Sequence, residues 1–493
     1  IRRGRPGTAG NAGIAATGAR VSAGSERPRG GLADARAPAG TERPRGGLAD
    51  AHAPAGSERP RGGLADARAP AGTEAGGIVP LLEPRDGLPP VVETNAVLAE
   101  VTARLADGEG PVAVDAERAS GYRYGQRAYL VQLRRAGAGT VLIDPIACPD
   151  LSGVDAAVGD AEAVLHAASQ DLPCLAEIGF RPQRLFDTEL AGRLLGYPRV
   201  ALGTLVEEVL GFHLEKGHSA ADWSARPLRE ELLRYAALDV EVLVELRDAL
   251  AAELADQGKT EWARQEFEAV LATRPAPARP DPWRRTSGIH RVQSRRGLAV
   301  VRELWLARDK IAQVADLSPR RVLPDTAIVE AARYLPANHA QLTRISGFAG
   351  RQARRHEKEW LAAVARARAS ADHELPETTG GAIPNGPPPV HRWAERDPAA
   401  AARLAAARVV VAALAEENRL PVENLLSPDA LRRLSWDPPR PCDEQAVAEA
   451  LAGYGARPWQ IELTAEPVTH ALRDAQALAK EAAMLDGSAE PEG

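Results

Sequence analysis

Five residues of this chain have types and spacings that could do chemistry. Asp115 and Glu117 stand one residue apart in VAVDAER (112–118), at the end of an apolar run that reads as a strand. On a strand, residues i and i+2 share a face, so the two carboxylates crowd each other. Asp171 falls in HAASQDLPCL (166–175), where a strand gives way to a helix. Tyr235 and Asp239 are four apart in RYAALDV (234–240) and share one face of a predicted helix. Each has an ordinary explanation taken singly. A D-x-E is common at strand ends, an acid favours the first turn of a helix, and a tyrosine packs on a core with an aspartate at its rim. Together, four acids are too many to bury unless cations neutralise them. The set is all oxygen, without His or Cys, which suits two hard cations, Mg²⁺ or Mn²⁺. Two such ions about 3.5–4 Å apart can clamp the attacking and leaving oxygens of a phosphodiester.

The elements that must position these residues are legible as alternating patterns. VAVDA and TVLID read as strands, AEAVLHAASQDLPCLAEIGF as a strand into a helix, and TELAGRLLGY and LREELLRYAALDVEVLVELRDALAAELA as helices. Strands with interleaved and then dominant helices predict an α/β domain over 78–262, a mixed sheet flanked by helices. A proline-rich break, TRPAPARPDP, places a linker at 263–283. Residues 284–370 predict an all-helical module. ELPETTGGAIPNGPPP marks a second linker at 371–389, 390–472 a second helical module, and 473–493 a tail. The two helical modules echo each other, Pro319–Asp325 resembling Pro421–Asp429. Residues 25–72 are three copies of a 16-residue unit, each with one large apolar residue, so residues 1–77 predict a disordered region.

Net charge is −6, but it is unevenly spread. Residues 93–255 carry 15 Lys/Arg against 26 Asp/Glu, or −11; residues 281–370 carry 18 against 8, or +10. A basic helical module beside an acidic one suits contact with a phosphate backbone. Cys148, Cys174 and Cys442 are far apart and odd in number, which argues against a disulfide framework or a zinc site and fits a reducing cytoplasm. No apolar run approaches a membrane span, the basic N-terminus is followed by no apolar signal segment, and nothing specifies a protein partner.

The order D-x-E, Asp, Y-x-x-x-D resembles the DEDDy branch of the 3′→5′ exonucleases. The flanks VAVDAERASGYRYGQRAYLVQL, VLHAASQDL, FDTELAGRLLG and LEKGHSAADWSARPLREELLRYAALDV are similar to the ribonuclease D family. VRELWLARDKIA, DLSPRRVLPD and ISGF resemble the HRDC helical bundle, and 390–472 resembles a diverged second one. The resemblance implies a ribonuclease H-like exonuclease fold followed by two HRDC-type bundles. It implies that Asp115 bridges both metals, Glu117 and Asp239 complete one site, and Asp171 holds the other. Tyr235 would orient the attacking water, and Glu117 would also touch the terminal 3′-hydroxyl. The implied reaction releases nucleoside 5′-monophosphates from RNA 3′ ends, tRNA precursors above all.

Around this set, Lys216 and Arg226 are candidates for contacting substrate phosphates, against a loop-fixing ion pair with Asp222 or a neighbouring acid. His166 reads as a packed strand-end residue, and His218 as a loop residue near Lys216. Tyr122, Tyr124, Tyr129 and Phe180 are either base-stacking or core. Two other functions compete. A 3′→5′ DNA exonuclease would share the catalytic motifs, and a non-catalytic nucleic-acid scaffold would usually have lost one of the acids.

Overall fold

A computed structural model describes residues 77–215, 217–218, 220–274, 280–378 and 386–487. The 16-residue repeats and Lys216 lie outside the described residues.

Among the described residues eight strands form, β1 Val79–Leu81, β2 Val91–Val92, β3 Glu109–Arg118, β4 Ala128–Ala136, β5 Gly139–Ile143, β6 Ala163–Leu165, β7 Leu185–Asp187 and β8 Phe212–Leu214. Six build one sheet in the order β2-β5-β4-β3-β6-β7, while β1 and β8 make a small parallel pair. The β3–β4–β5 meander is antiparallel; β6 runs parallel to β3, and β7 parallel to β6. This is the mixed sheet expected. β3 lies inside it and is sealed on both faces, so Val112, Ala113, Val114 and Ala116 are all buried, as the near-continuous apolar run of an interior strand requires. Helix Glu230–Glu241 covers the β3–β5 face, its Leu232, Ala236 and Ala237 packing on Leu130 and Leu142.

The helical modules follow in parallel order. Helix Arg295–Ala315 ends at Asp316, which has φ +46°, and is followed by the short helix Pro319–Val322 and then Asp325–Tyr334. Helix Pro398–Glu417 is followed by Arg419 with φ +52°, the short helix Val422–Leu425, and Pro428–Trp436. The echo seen in the sequence is thus a repeated element order.

Two boundaries and one hydropathy reading differ from the sequence expectation. Helix Thr260–Ala272 crosses the expected start of the 263–283 linker, because Ala263, Glu266 and Phe267 are buried. The tail at 473–493 begins inside a helix, Pro458–Gly487, whose Ala475 is still buried; residues 473–484 hold no helix-breaker to stop it. Helix Pro398–Glu417 is long and apolar enough, by length and composition, to cross a membrane. Its alanines and valines supply that hydropathy, while Arg403 is buried and donates to the carbonyls of Ser435 (2.8 Å) and Trp436 (3.2 Å) at the end of a neighbouring helix.

The modules are not beads on a string. One apolar core runs from the sheet into the C-terminal module, joining Val112 and Leu165 with Val411, Leu434 and Trp459. The Trp262 and Trp459 rings stack at 4.8 Å. Lys259 donates to the Leu194 carbonyl (2.7 Å) and the Asn418 carbonyl (2.8 Å), so its ammonium closes the C-terminal ends of two helices, Thr188–Leu195 and Pro398–Glu417.

Candidate active site

β3 delivers Asp115 and Glu117 to one end of a cavity of about 860 Å³, and helix Glu230–Glu241 delivers Tyr235 and Asp239 from above. Ligand oxygens of Asp115, Glu117 and Asp239 all lie within 4.8 Å of one another. The spacing argument therefore holds in three dimensions: i and i+2 on the strand meet i and i+4 on the helix.

Asp171 also lines this cavity. It occupies the cap position of helix Leu172–Glu177, yet its side chain makes no capping hydrogen bond. Its carboxylate instead meets the Arg118 guanidinium at 3.3 Å. Serving the helix start is thus not what this acid does.

The turn that presents Asp171 is set by Asp187, which is 2% exposed. Asp187 accepts from the N–H groups of Ala167 (3.0 Å) and Ala168 (2.8 Å) and caps its own helix through Glu189 (2.9 Å). Those bonds hold Ala167 at φ +59°, a left-handed conformation that alanine rarely adopts. Asp187 is not among the sequence-predicted site residues, although its place before Thr-Glu at a helix start marks it as a cap.

The electrostatics are those of an anionic cluster short of counter-charge. Burial, then Asp115, Asp239 and Asp171, push Glu117 up to about 10. Burial and Asp115 push Asp171 up to about 8, and burial pushes Asp115 up to about 6. Asp239 is driven well above the ordinary carboxylate range by burial and by Asp115. Arg118 opposes this at Asp115, Glu117 and Asp171. Carboxylates held this far from their ordinary values fit divalent cations, which favour the ionised forms and use oxygen donors. Burial and the neighbouring acids also raise the Tyr235 phenol, which hydrogen-bonds Asp239. It therefore stands protonated, as a donor.

The flanking candidates separate. Arg226 donates to Asp144 at 2.7 and 2.9 Å and to the carbonyls of Tyr129 (2.7 Å) and Trp223 (2.8 Å). It fixes a loop, and its acid is Asp144 rather than Asp222; Asp222 instead holds Ser224. His166 is the packed strand-end residue expected, its Nδ1 2.9 Å from the Thr188 hydroxyl. His218 lies edge-on to Tyr235, ring centres 5.6 Å apart. Phe180 and Tyr129 are core.

Tyr122 packs against the exonuclease core and Tyr124 against that of the first helical module, and both side chains bond to that module. The Arg321 guanidinium sits 3.9 Å over the Tyr122 ring, and the Tyr124 hydroxyl donates to Asp309 at 3.1 Å. Arg321 also donates to the Gly121 carbonyl (2.8 Å), and Ser318 N–H to that of Tyr122 (2.9 Å). The first helical module thus grips the loop that leaves the D-x-E strand, and Ser120 and Gly121 of that loop line the cavity.

This geometry and fold define a metal-dependent 3′→5′ exonuclease, with carboxylates on a strand and a covering helix and a tyrosine beside them. A 3′–5′ exonuclease family profile matches residues 89–255, an HRDC domain profile 297–364, and a 3′ to 5′ exonuclease C-terminal domain profile 386–472. Ribonuclease D of Gluconacetobacter diazotrophicus is 34% identical over 360 residues, spanning 71% of this chain and 87% of that protein. Ribonuclease D of Escherichia coli K12 is 31% identical over 271 residues, 54% of this chain and 72% of that one. A solved protein from Bifidobacterium adolescentis aligns at a TM-score of 0.73 with 40% identity, covering 80% of this chain and 99% of that one. The crystal structure of Escherichia coli RNase D aligns at 0.56 with 26% identity, covering 74% and 97%. The chain belongs to the ribonuclease D family, and it is a 3′→5′ exoribonuclease.

Proposed function

We propose that this exoribonuclease trims the 3′ ends of structured RNA, tRNA precursors foremost, with two divalent cations, Mg²⁺ or Mn²⁺, held by Asp115, Glu117, Asp171 and Asp239. The observation that carries the reading is the meeting of three carboxylates within 4.8 Å beside a protonated tyrosine. When bound, the cations supply a water of lowered pKa and charge stabilisation at the phosphodiester. Tyr235, whose one O–H proton goes to Asp239 in the metal-free protein, is released once that carboxylate serves as a ligand and then donates the hydrogen bond that orients the water. Arg118, free of Asp171 once that acid serves as a ligand, is within the same cavity for a substrate phosphate.

The related Escherichia coli protein is described as an exoribonuclease involved in structured RNA processing, and the +10 helical module gripping the active-site loop supports a substrate larger than a dinucleotide. The three unpaired cysteines support action in a reducing cytoplasm.

The test is a 5′-labelled tRNA precursor with a short 3′ trailer, beside DNA of matching sequence, with Mg²⁺ and with EDTA and Asp115→Asn as controls. A metal-dependent ladder from the RNA 3′ end, slowing at the mature terminus, is expected. A faster ladder on DNA overturns the substrate assignment, and no ladder with tight binding retained overturns the catalytic one.

A further inference from the structure

Next to the acids lies a buried amide with no evident duty. Gln132 on β4 is 0% exposed, and neither its Nε2 nor its Oε1 has a hydrogen-bond partner. Buried amides almost always find partners, because an unpaired donor or acceptor forfeits its bond to water. A leucine or methionine would fill the same volume at lower cost. Its near neighbours on this face include apolar ones: Leu130 precedes it by two, and Leu142 is opposite it on β5, while Arg134, two residues on, is taken by Glu241.

The strand register says what the amide faces. Asp115 is the residue directly opposite Gln132 in the antiparallel β3–β4 pair. Opposed residues of such a pair project to the same face, with Cβ atoms about 4.5–5.5 Å apart. That distance lies within the reach of a glutamine amide and an aspartate carboxylate. The face is the one that helix Glu230–Glu241 covers, and that helix brings in Asp239.

We propose that Gln132 is a positioning residue for the metal centre: its Nε2–H donates to the Asp115 carboxylate when that carboxylate serves as a metal ligand, and so fixes which oxygen faces the cations. Outer-shell donors of this kind orient a ligand and tune its affinity. The inference rests on the metal-centre reading above. A competing acceptor exists, since Glu241 Oε2 is also buried without a partner on the covering helix, and pairing with it would make Gln132 purely structural.

Gln132→Met in the full-length chain separates these cases, because it keeps the shape and removes the N–H. Mn²⁺ binding is read by electron paramagnetic resonance without RNA, melting is read in EDTA, and kcat and KM are read on a short oligoribonucleotide. The expected result is a Mn²⁺ affinity lower by about 10–100-fold, a melting temperature in EDTA equal to or above the parent, and a lowered kcat at unchanged KM. Gln132→Leu is the second variant should methionine not be accommodated, with the same expectations.

A parent that binds Mn²⁺ beside a variant that binds it equally well overturns the positioning role and leaves the metal centre standing. A large drop in melting temperature in EDTA with Mn²⁺ affinity intact assigns Gln132 to the fold and overturns it too. A parent that binds no Mn²⁺ overturns the metal-centre reading itself, and the role of Gln132 with it.

Discussion

Asp115 and Asp239 lie on different elements, a central strand and the helix that covers it, yet their carboxylates meet within 4.8 Å. Asp115 raises the affinity of Asp239 for a proton through simple repulsion, on top of burial. Such a contact is unfavourable in the metal-free protein. Its presence on two rigid elements means that the cost is met by whatever binds between them.

Asp115→Asn and Asp239→Asn are expected to lose activity by about a thousandfold or more, a cation's share of transition-state stabilisation being several kcal/mol. Their melting temperatures in EDTA are expected to stay level or rise, since each removes a mutual repulsion. Near-normal turnover in Mg²⁺ by either variant would sink the assignment.

The same repulsion fixes a pH dependence. Glu117, Asp171 and Asp115 are held at about 10, 8 and 6, all above their unfolded values near 4. Between about pH 4 and pH 10 the native state therefore binds more protons than the unfolded one, and this cluster makes stability fall as pH rises. Cations reverse the preference by favouring the ionised acids. The rise in melting temperature produced by Mg²⁺ over EDTA is expected to grow from pH 6 to pH 9; a rise that shrinks over that range would contradict the assigned shifts.

Tyr235→Phe removes a donor and no ligand. Turnover is expected to fall by about 10²–10⁴-fold, while Mn²⁺ affinity in the absence of RNA stays at the parental value. A matching loss of Mn²⁺ affinity would mean that the phenol supports the ligands rather than the water.

Arg226→Met breaks the pair with Asp144, whose carboxyl lies below the ordinary range because the guanidinium and two backbone N–H groups outweigh its burial. A loss of roughly 2–4 kcal/mol is expected, below the fully buried figure because Arg226 keeps some exposure. The salt dependence of RNA binding should not change. A slope reduced by about one would return Arg226 to the phosphate contacts.

Arg321→Ala tests the grip of the helical module on the active-site loop. Single-turnover cleavage of a short oligoribonucleotide, too small to reach the module, is expected to slow by about tenfold through misplacement of Ser120 and Gly121. An unchanged rate would make the contact a passive dock.

The legible parts of the site were those whose geometry is local. Asp115 with Glu117, and Tyr235 with Asp239, follow from strand and helix periods, so their juxtaposition within each element could be read directly. The fold class followed from the alternation of patterns for the same reason. What escaped is non-local. Arg226 meets Asp144 across the fold, Asp187 acts on a turn one strand away, and Tyr122 and Tyr124 meet a different module. Helix Thr260–Ala272 runs past its expected end because both surfaces that bury it are distant in sequence: Phe186 on β7, 4.9 Å from Phe267, and Trp459, almost two hundred residues later. Lys216 lies outside the described residues and stays a candidate on sequence grounds alone.

That late-arriving surface bears on how the enzyme is made. The apolar core that starts at the catalytic sheet extends to residues of helix Pro458–Gly487, Trp459, Val468 and Leu472 among them, and Glu266 receives the Trp459 indole N–H at 3.1 Å. A chain still on the ribosome has its four acids long before it has this last wall. A chain cut before Trp459 therefore carries the whole catalytic set with this face of the shared core open to water.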